Sequence, residues 1–337
     1  MNEFKFIERL RAEAERRGYP PGLRRGIGDD GAVIKQLTGR DTVVSTDLLV
    51  EDIDFQLEST QPRLLGHKAL AVSLSDIAAM GARPRWTLAS IGIPQDVWDA
   101  DFAHEFYEGF LGLADRYDVR LIGGDLSRTT DKIVIDSIVI GECFSGQSIL
   151  RAGARPGDQL FVTGSLGGSA AGLRLIERGA RLGSLDPNEE SSGPISRLLQ
   201  RHLSPEPRVG WGLVLGEERL ASAMIDVSDG LSSDLNHLCS ESKVGALIES
   251  ARLPVDPNVA ALCGRRALDP LMLALHGGED FELLFSVSPE DISKLPGKVD
   301  GVSVTRIGQI EESAAGIQVV EGVHRWALQP AGWMHFR

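Results

Sequence analysis

Cysteine is scarce in these 337 residues, and what there is does not pair. Cys143, Cys239 and Cys263 are odd in number, far apart and without a C-x-x-C spacing. That argues against a disulfide framework or a zinc site and predicts reduced thiols in a cytoplasmic protein. Positive charge is short as well: 35 Lys and Arg stand against 48 Asp and Glu, a formal net charge of -13. No stretch collects the basic stripe that a nucleic-acid backbone requires, so nucleic acid is not expected as a partner. Apolar runs all stop short of the roughly 20 residues that span a bilayer, so a membrane is not expected either. The stretch from Met1 to Arg17, with Phe4, Ile7, Leu10 and Ala14 on one side, predicts a charged amphipathic helix and not a signal peptide. The common nucleotide signatures are missing too. There is no G-x-x-x-x-G-K-[ST] loop and no kinase His-Arg-Asp, and Gly164-Ser165-Leu166-Gly167-Gly168 lacks the G-x-G-x-x-G order. That loop is open between a phosphate cradle and a plain tight turn.

What the chain does have is acid in short clusters. Gly28-Asp29-Asp30-Gly31, Ser45-Thr46-Asp47, Ser75-Asp76, Gly123-Gly124-Asp125, Asp226-Val227-Ser228-Asp229-Gly230 and Gly277-Gly278-Glu279-Asp280 sit at the mouths of apolar runs. One Asp-Gly is usually only a turn. Six such clusters point to a shared site, where crowded carboxylates either stay protonated or take up cations. Hard divalent ions with oxygen ligands, Mg²⁺ above all, suit such a set and pair naturally with phosphates. The periodicity predicts a strand from Thr42 to Ser45 that empties into the second cluster, and a helix from Pro62 to Met80 stopped by Gly81. It also predicts a strand from Val119 to Ile122 that ends in the Gly-Gly-Asp cluster. Arg151 to Asp158, rich in Gly and Pro, reads as the joint between two domains, 1–148 and 149–337. A polar loop from Arg181 to Gly193 is expected to move. Lys68, on a helix flank, is expected in solvent.

Taken in order, Ile27-Gly28-Asp29-Asp30-Gly31-Ala32, Ser45-Thr46-Asp47, Lys68-Ala69-Leu70-Ala71, Ser75-Asp76-Ile77-Ala78-Ala79-Met80-Gly81-Ala82, Ile122-Gly123-Gly124-Asp125, Asp226-Val227-Ser228-Asp229-Gly230-Leu231 and Gly277-Gly278-Glu279-Asp280-Phe281-Glu282-Leu283 resemble the motif set of the thiamine-monophosphate kinases. That family lies in the superfamily of aminoimidazole ribonucleotide synthetase and selenophosphate synthetase. The resemblance implies an α+β, two-domain fold. Its amino-terminal α/β domain, 1–148, would pair its sheet in a dimeric β-barrel and bind Mg-ATP, and its carboxy-terminal α/β sandwich domain, 149–337, would bind ATP and substrate. A homodimer follows from it.

Residue by residue, the resemblance makes Asp30, Ser45, Thr46, Asp47, Asp76, Asp125, Asp226 and Asp229 ligands of several Mg²⁺ ions. It places Tyr107, Gly124, Asp125, Arg151 and Ser228 around ATP, and Asp54, Glu279 and Trp333 at thiamine monophosphate. The implied reaction is direct in-line transfer from ATP to thiamine monophosphate, the last step in forming thiamine diphosphate. It uses no enzyme nucleophile, and Arg151 and the metal cluster stabilise the transition-state charge. Trp333 suits the thiazolium cation, since indole is the best cation-π partner among side chains. Asp54 departs from the pattern, standing before Phe55 where the family commonly has His. A carboxylate there favours the thiazolium charge and repels the phosphate. The rival readings are another ATP-using enzyme of the superfamily and a non-catalytic sensor that binds metal and nucleotide.

Overall fold

The strands predicted over Thr42–Ser45 and Val119–Ile122 run longer, over Arg40–Val50 and Arg120–Arg128, because neighbouring strands pair with them beyond the predicted ends. The computed structural model describes residues 3–18, 22–25, 27, 32–99, 101–183, 193–266 and 269–333. The chain divides into two units, Met1–Ile77 with Ala82–Gly146, and Ala78–Gly81 with Gln147–Arg337.

In chain order the first unit holds α1 (Glu3–Arg16), β1 (Leu23–Arg25), β2 (Val33–Ile34), β3 (Arg40–Val50), α2 (Pro62–Ala79), β4 (Arg83–Ile93), α3 (Gln95–Asp99), α4 (Phe102–Arg116), β5 (Arg120–Arg128) and β6 (Val134–Phe144). Its main sheet is four-stranded in the order β3-β6-β4-β5, with only β4 and β5 parallel. Directly paired residues share a sheet face. Leu49, Ala89, Ile91, Ile135 and Val139 are buried on the face that meets α2, and the Ser73 hydroxyl of α2 donates to the Ser137 carbonyl of β6 (2.9 Å).

α2 is apolar nearly all round, as a helix buried on every side must be. This overturns the expectation for Lys68, which is 1% exposed. In the first helix the described members of the predicted stripe are Leu10, half-buried, and Ala14, buried. Phe6 is buried as well, edge-on to Trp98 and against Tyr107.

The second unit holds β7 (Gln159–Thr163), α5 (Gly168–Glu177), α6 (Pro194–Leu203), α7 (Val209–Glu217), β8 (Ala223–Asp226), α8 (Leu231–Ser242), β9 (Gly245–Glu249), α9 (Pro257–Arg266), α10 (Pro270–His276), β10 (Leu283–Val287), β11 (Lys298–Val299), β12 (Val302–Glu311), β13 (Ile317–Glu321) and β14 (His324–Ala327). Its eight-stranded sheet runs β14-β13-β9-β12-β7-β10-β8, with β11 on β12. All its pairs are antiparallel except β13 with β9. Leu160, Val162, Ile225, Leu284 and Ile307 of the sheet pack with Leu231, Leu235 and Leu238 of α8 in one apolar core. Both units are thus mixed α and β. Among the described residues neither sheet closes into a barrel, and no helix is long and apolar enough to cross a membrane. Of the thiols, Cys143 and Cys239 are free and buried.

Candidate active site

Two acidic clusters stand out, one in each unit. In the first, Ser45, Thr46 and Asp47 do not form a turn. They lie in the middle of β3, opposite Val139, Ile138 and Ser137 of β6. The strand predicted to end at Ser45 runs on because β6 supplies pairing partners from Val134 to Phe144, and three polar residues do not outweigh that ladder.

Alternation then splits the trio between faces. Ser45 and Asp47 point toward α2, where the Ser45 hydroxyl donates to Asp76. Thr46 lies on the opposite face and donates to Asp136 (2.5 Å). Asp47 is the anomalous member. Its Oδ2 is buried without a hydrogen-bond partner. Burial first, then the charges of Asp76 and Asp136, push its carboxyl up to about 7 against the pull of the Ser73 hydroxyl. A carboxylate pair, a hydroxyl and an orphaned buried oxygen are the donor chemistry that a hard divalent cation accepts, so Mg²⁺ fits these residues. Among the described residues, however, no three His, Cys, Asp or Glu side chains are already gathered as a cage.

The Gly123-Gly124-Asp125 cluster is likewise inside a strand, β5, paired to Leu88, Ala89 and Ser90 of β4. Gly124 has φ +154°, and a Cβ there would run into the Ala89 carbonyl, so only glycine serves. Asp125 is exposed on this edge strand. Its charge and, more strongly, burial raise the Tyr107 phenol, whose ring packs on Phe6, Phe106 and Phe110.

In the second unit the Asp226–Gly230 cluster is a strand-to-helix turn, β8 ending at Asp226 and α8 starting at Leu231. Asp226 is 3% exposed. Asp234, one helical turn beyond Gly230, had no place in the sequence reading. Its carboxyl accepts from the Gly230 N–H (3.0 Å) and is pushed up to about 8, first by burial and then by Asp226 and Asp229. An acidic residue in a helix's first turn was the available signal.

Glu279 follows α10 with a left-handed φ of +61°, a conformation that costs a non-glycine residue of order 1 kcal/mol or more and tends to mark functional turns. It is pinned by its N–H to the Ser228 carbonyl (2.7 Å), while His202 Nδ1 lies 3.1 Å from its carboxylate. Trp333, 53% exposed, donates its N–H to the Asp229 carbonyl (3.2 Å). Ser228, Asp229, Glu279 and Trp333 are therefore brought together. Arg151 is exposed, and its carbonyl accepts from Ser242 (2.9 Å).

The loop from Gly164 to Gly168 is not open to an anion. The N–H groups of Gly167 in the loop and of Ser169 just after it donate to Asp280 (2.5 and 3.0 Å), and that of Ser165 donates to Glu282 (3.3 Å). An internal carboxylate occupies the place a phosphate would take at the start of α5.

Two family models match the chain: the AIR synthase related protein N-terminal domain over residues 28–143 and the C-terminal domain over residues 155–320. Thiamine-monophosphate kinase of Bacillus subtilis (strain 168) is 37% identical over 340 residues, covering 100% of both chains. That of Escherichia coli (strain K12) is 37% identical over 92% of this chain and 91% of its own. The chain belongs to the thiamine-monophosphate kinase family. Among solved structures it is similar to the family's enzyme from Stenotrophomonas maltophilia K279a, with TM-score 0.80 and 35% identity over 95% of this chain and 96% of that one. It is also similar to "AaThiL complexed with AMPPCP and TMP", with TM-score 0.78 and 33% identity over 99% and 97%. A hydrogenase maturation protein HypE in complex with ATP, at 19% identity and TM-score 0.72, shares the fold.

Asp54 has a local employment. The Asp54 carboxylate accepts the Val50 N–H (2.8 Å) and so closes the turn that ends β3, as aspartate side chains commonly do. Of the thiamine-monophosphate kinase motifs, Gly28 to Gly31 with Asp30 lies outside the described residues, as does most of the Arg181 to Gly193 loop.

Proposed function

We infer that this chain transfers the γ-phosphoryl group of ATP to the phosphate of thiamine monophosphate, giving thiamine diphosphate and ADP. The full-length match to the Bacillus kinase, at 37% identity, carries the reading, and a similar chain complexed with AMPPCP and TMP agrees with it. Asp30, Ser45, Thr46, Asp47, Asp76 and Asp125 in the amino-terminal domain (1–148), and Asp226 and Asp229 in the carboxy-terminal domain (149–337), would hold Mg²⁺. When bound, Mg²⁺ offsets polyphosphate charge and makes the transferring phosphorus a better electrophile. The chain's own groups bind and orient. Tyr107, Gly124, Asp125, Arg151 and Ser228 are assigned to ATP, with Arg151 stabilising charge on the transferring group. Glu279 and Trp333 are assigned to the thiazolium end and Asp54 to the rim of the acceptor site. No enzyme nucleophile takes part, because the acceptor phosphate oxygen attacks in line. Incubation with ATP, Mg²⁺ and thiamine monophosphate should yield thiamine diphosphate by chromatography. Absence of product at every Mg²⁺ concentration would sink the assignment.

The working unit of this reading is a cytoplasmic homodimer whose amino-terminal sheets complete a barrel. β3 supports it, as an edge strand of eleven residues whose face away from α2 exposes Val44 (60%) and Leu48 (58%). Long apolar edges of this kind are normally paired or covered. Leu48→Glu should halve the mass seen by light scattering, because a lone charge in such an interface costs several kcal/mol. An unchanged mass, whether monomer or dimer, would remove this part of the reading.

A further inference from the structure

Chain ends normally fray unless something ties them down, yet three consecutive amides near the carboxy terminus are tied. The Ala331 N–H donates to Ser232 Oγ (3.3 Å), the Gly332 N–H to Ser233 Oγ (3.0 Å) and the Trp333 N–H to the Asp229 carbonyl (3.2 Å). The two serines belong to the first turn of α8 and are themselves buried, at 1% and 8% exposure. Ser232 is further held by His276 Nδ1 (2.8 Å), at the end of α10. A Cβ at Gly332 would run into the Asp229 carbonyl and the Ser233 hydroxyl. The close seat of the segment therefore requires glycine at that position. The backbone is fastened while the Trp333 side chain stays 53% exposed, an unusual arrangement for the largest apolar side chain.

We infer that Gly332 and Ser233 are positioning residues for Trp333. They seat the carboxy-terminal segment on the Asp229 turn so that the indole is presented to the cationic ring of the phosphate acceptor. The geometry is that of one turn used twice. Consecutive carbonyls, of Ser228 and Asp229, receive the N–H groups of Glu279 and Trp333. A carboxylate and an aromatic side chain are thereby mounted on neighbouring residues, a pairing that suits an aromatic cation. The inference rests on the proposed acceptor.

The test uses the full chain. Gly332→Ala should raise KM for thiamine monophosphate about tenfold, the size of a lost cation-π contact, with kcat and the KM for ATP within about twofold. Trp333→Ala should raise the same KM. The double variant should be no worse than the worse single one, because the two changes remove one interaction. Ser233→Ala should shift the KM in the same direction by less. Amide exchange of the peptide ending at Trp333, which needs no turnover, should speed up at least tenfold in Gly332→Ala, as it must if the hydrogen-bonded seat is lost. A wild-type KM in Gly332→Ala, losses that add in the double variant, equal rises in both KM values, or unchanged exchange would overturn the inference. A wild-type chain without turnover but with the exchange difference would instead remove the proposed function and leave the seating intact.

Discussion

Asp47→Asn is expected to lower kcat/KM at least ~100-fold, the usual scale for a lost charge-stabilising group, and at the same time to make the metal-free protein more stable. The two effects share one cause. Asp47 is largely buried near Asp76 and Asp136, with its carboxyl raised from 3.8 to about 7. Folded Asp47 keeps its proton up to about that pH, whereas the unfolded chain releases it near 4. Between those values the folded state binds more protons, so metal-free stability falls as pH rises through the window and is flat above it. At ~1.4 kcal/mol per pH unit the penalty reaches at most ~4 kcal/mol, and Asn removes it without changing the shape. Mg²⁺ should flatten this pH dependence in the wild type and stabilise the variant less than the wild type, as seen in thermal unfolding with and without a chelator. A variant that keeps wild-type turnover, or is less stable than wild type in chelator at pH 8, would contradict the metal role proposed for Asp47.

Glu282→Gln should destabilise the carboxy-terminal unit by roughly 3–5 kcal/mol, the range for breaking a buried ion pair from one side. The Glu282 carboxylate is 0% exposed. It receives Arg208 through two bonds of 2.5 Å, Arg201 at 3.3 Å and the Thr163 hydroxyl at 2.7 Å. Burial alone would raise its carboxyl, yet the Arg208 and Arg201 guanidinium groups and Thr163 hold it below its ordinary value. A lowered carboxyl contributes stability that is present at neutral pH and disappears only as pH falls below the ordinary carboxylate range. The wild type should therefore lose more stability on acidification than Glu282→Gln does. Denaturant unfolding at pH 7 and pH 3 measures both quantities. Equal stability of the two proteins at pH 7 would show that the network contributes nothing net.

Glu282 also shows where local reading falls short. In the chain it is one letter in Gly-Gly-Glu-Asp-Phe-Glu-Leu, and nothing nearby announces that Arg201 and Arg208 lie 81 and 74 positions away. The Gly164 loop could pass for a phosphate cradle for the same reason, since its occupants, Asp280 and Glu282, arrive from a distant turn. Lys68 is buried because its helix is covered on all sides, which follows from packing and not from helical period. Polar residues normally end a strand, which is what Ser45-Thr46-Asp47 suggests locally, whereas here β6 carries the pairing on.

The order of the acidic motifs, the start and stop of α2, the turn after β8 and the family were all determined by the chain on its own. Each depends on spacing within a short stretch or on motif order, and such patterns survive without knowledge of neighbours. The tertiary structure alone decided that Ser45 and Asp47 face α2 while Thr46 faces away. It also decided that Asp234 and His202 join the carboxylate turns, and that the segment ending at Trp333 is seated on Asp229. Those are relations between residues far apart in the chain. Sheet register and helix docking set them, through burial and hydrogen bonding that no local pattern records.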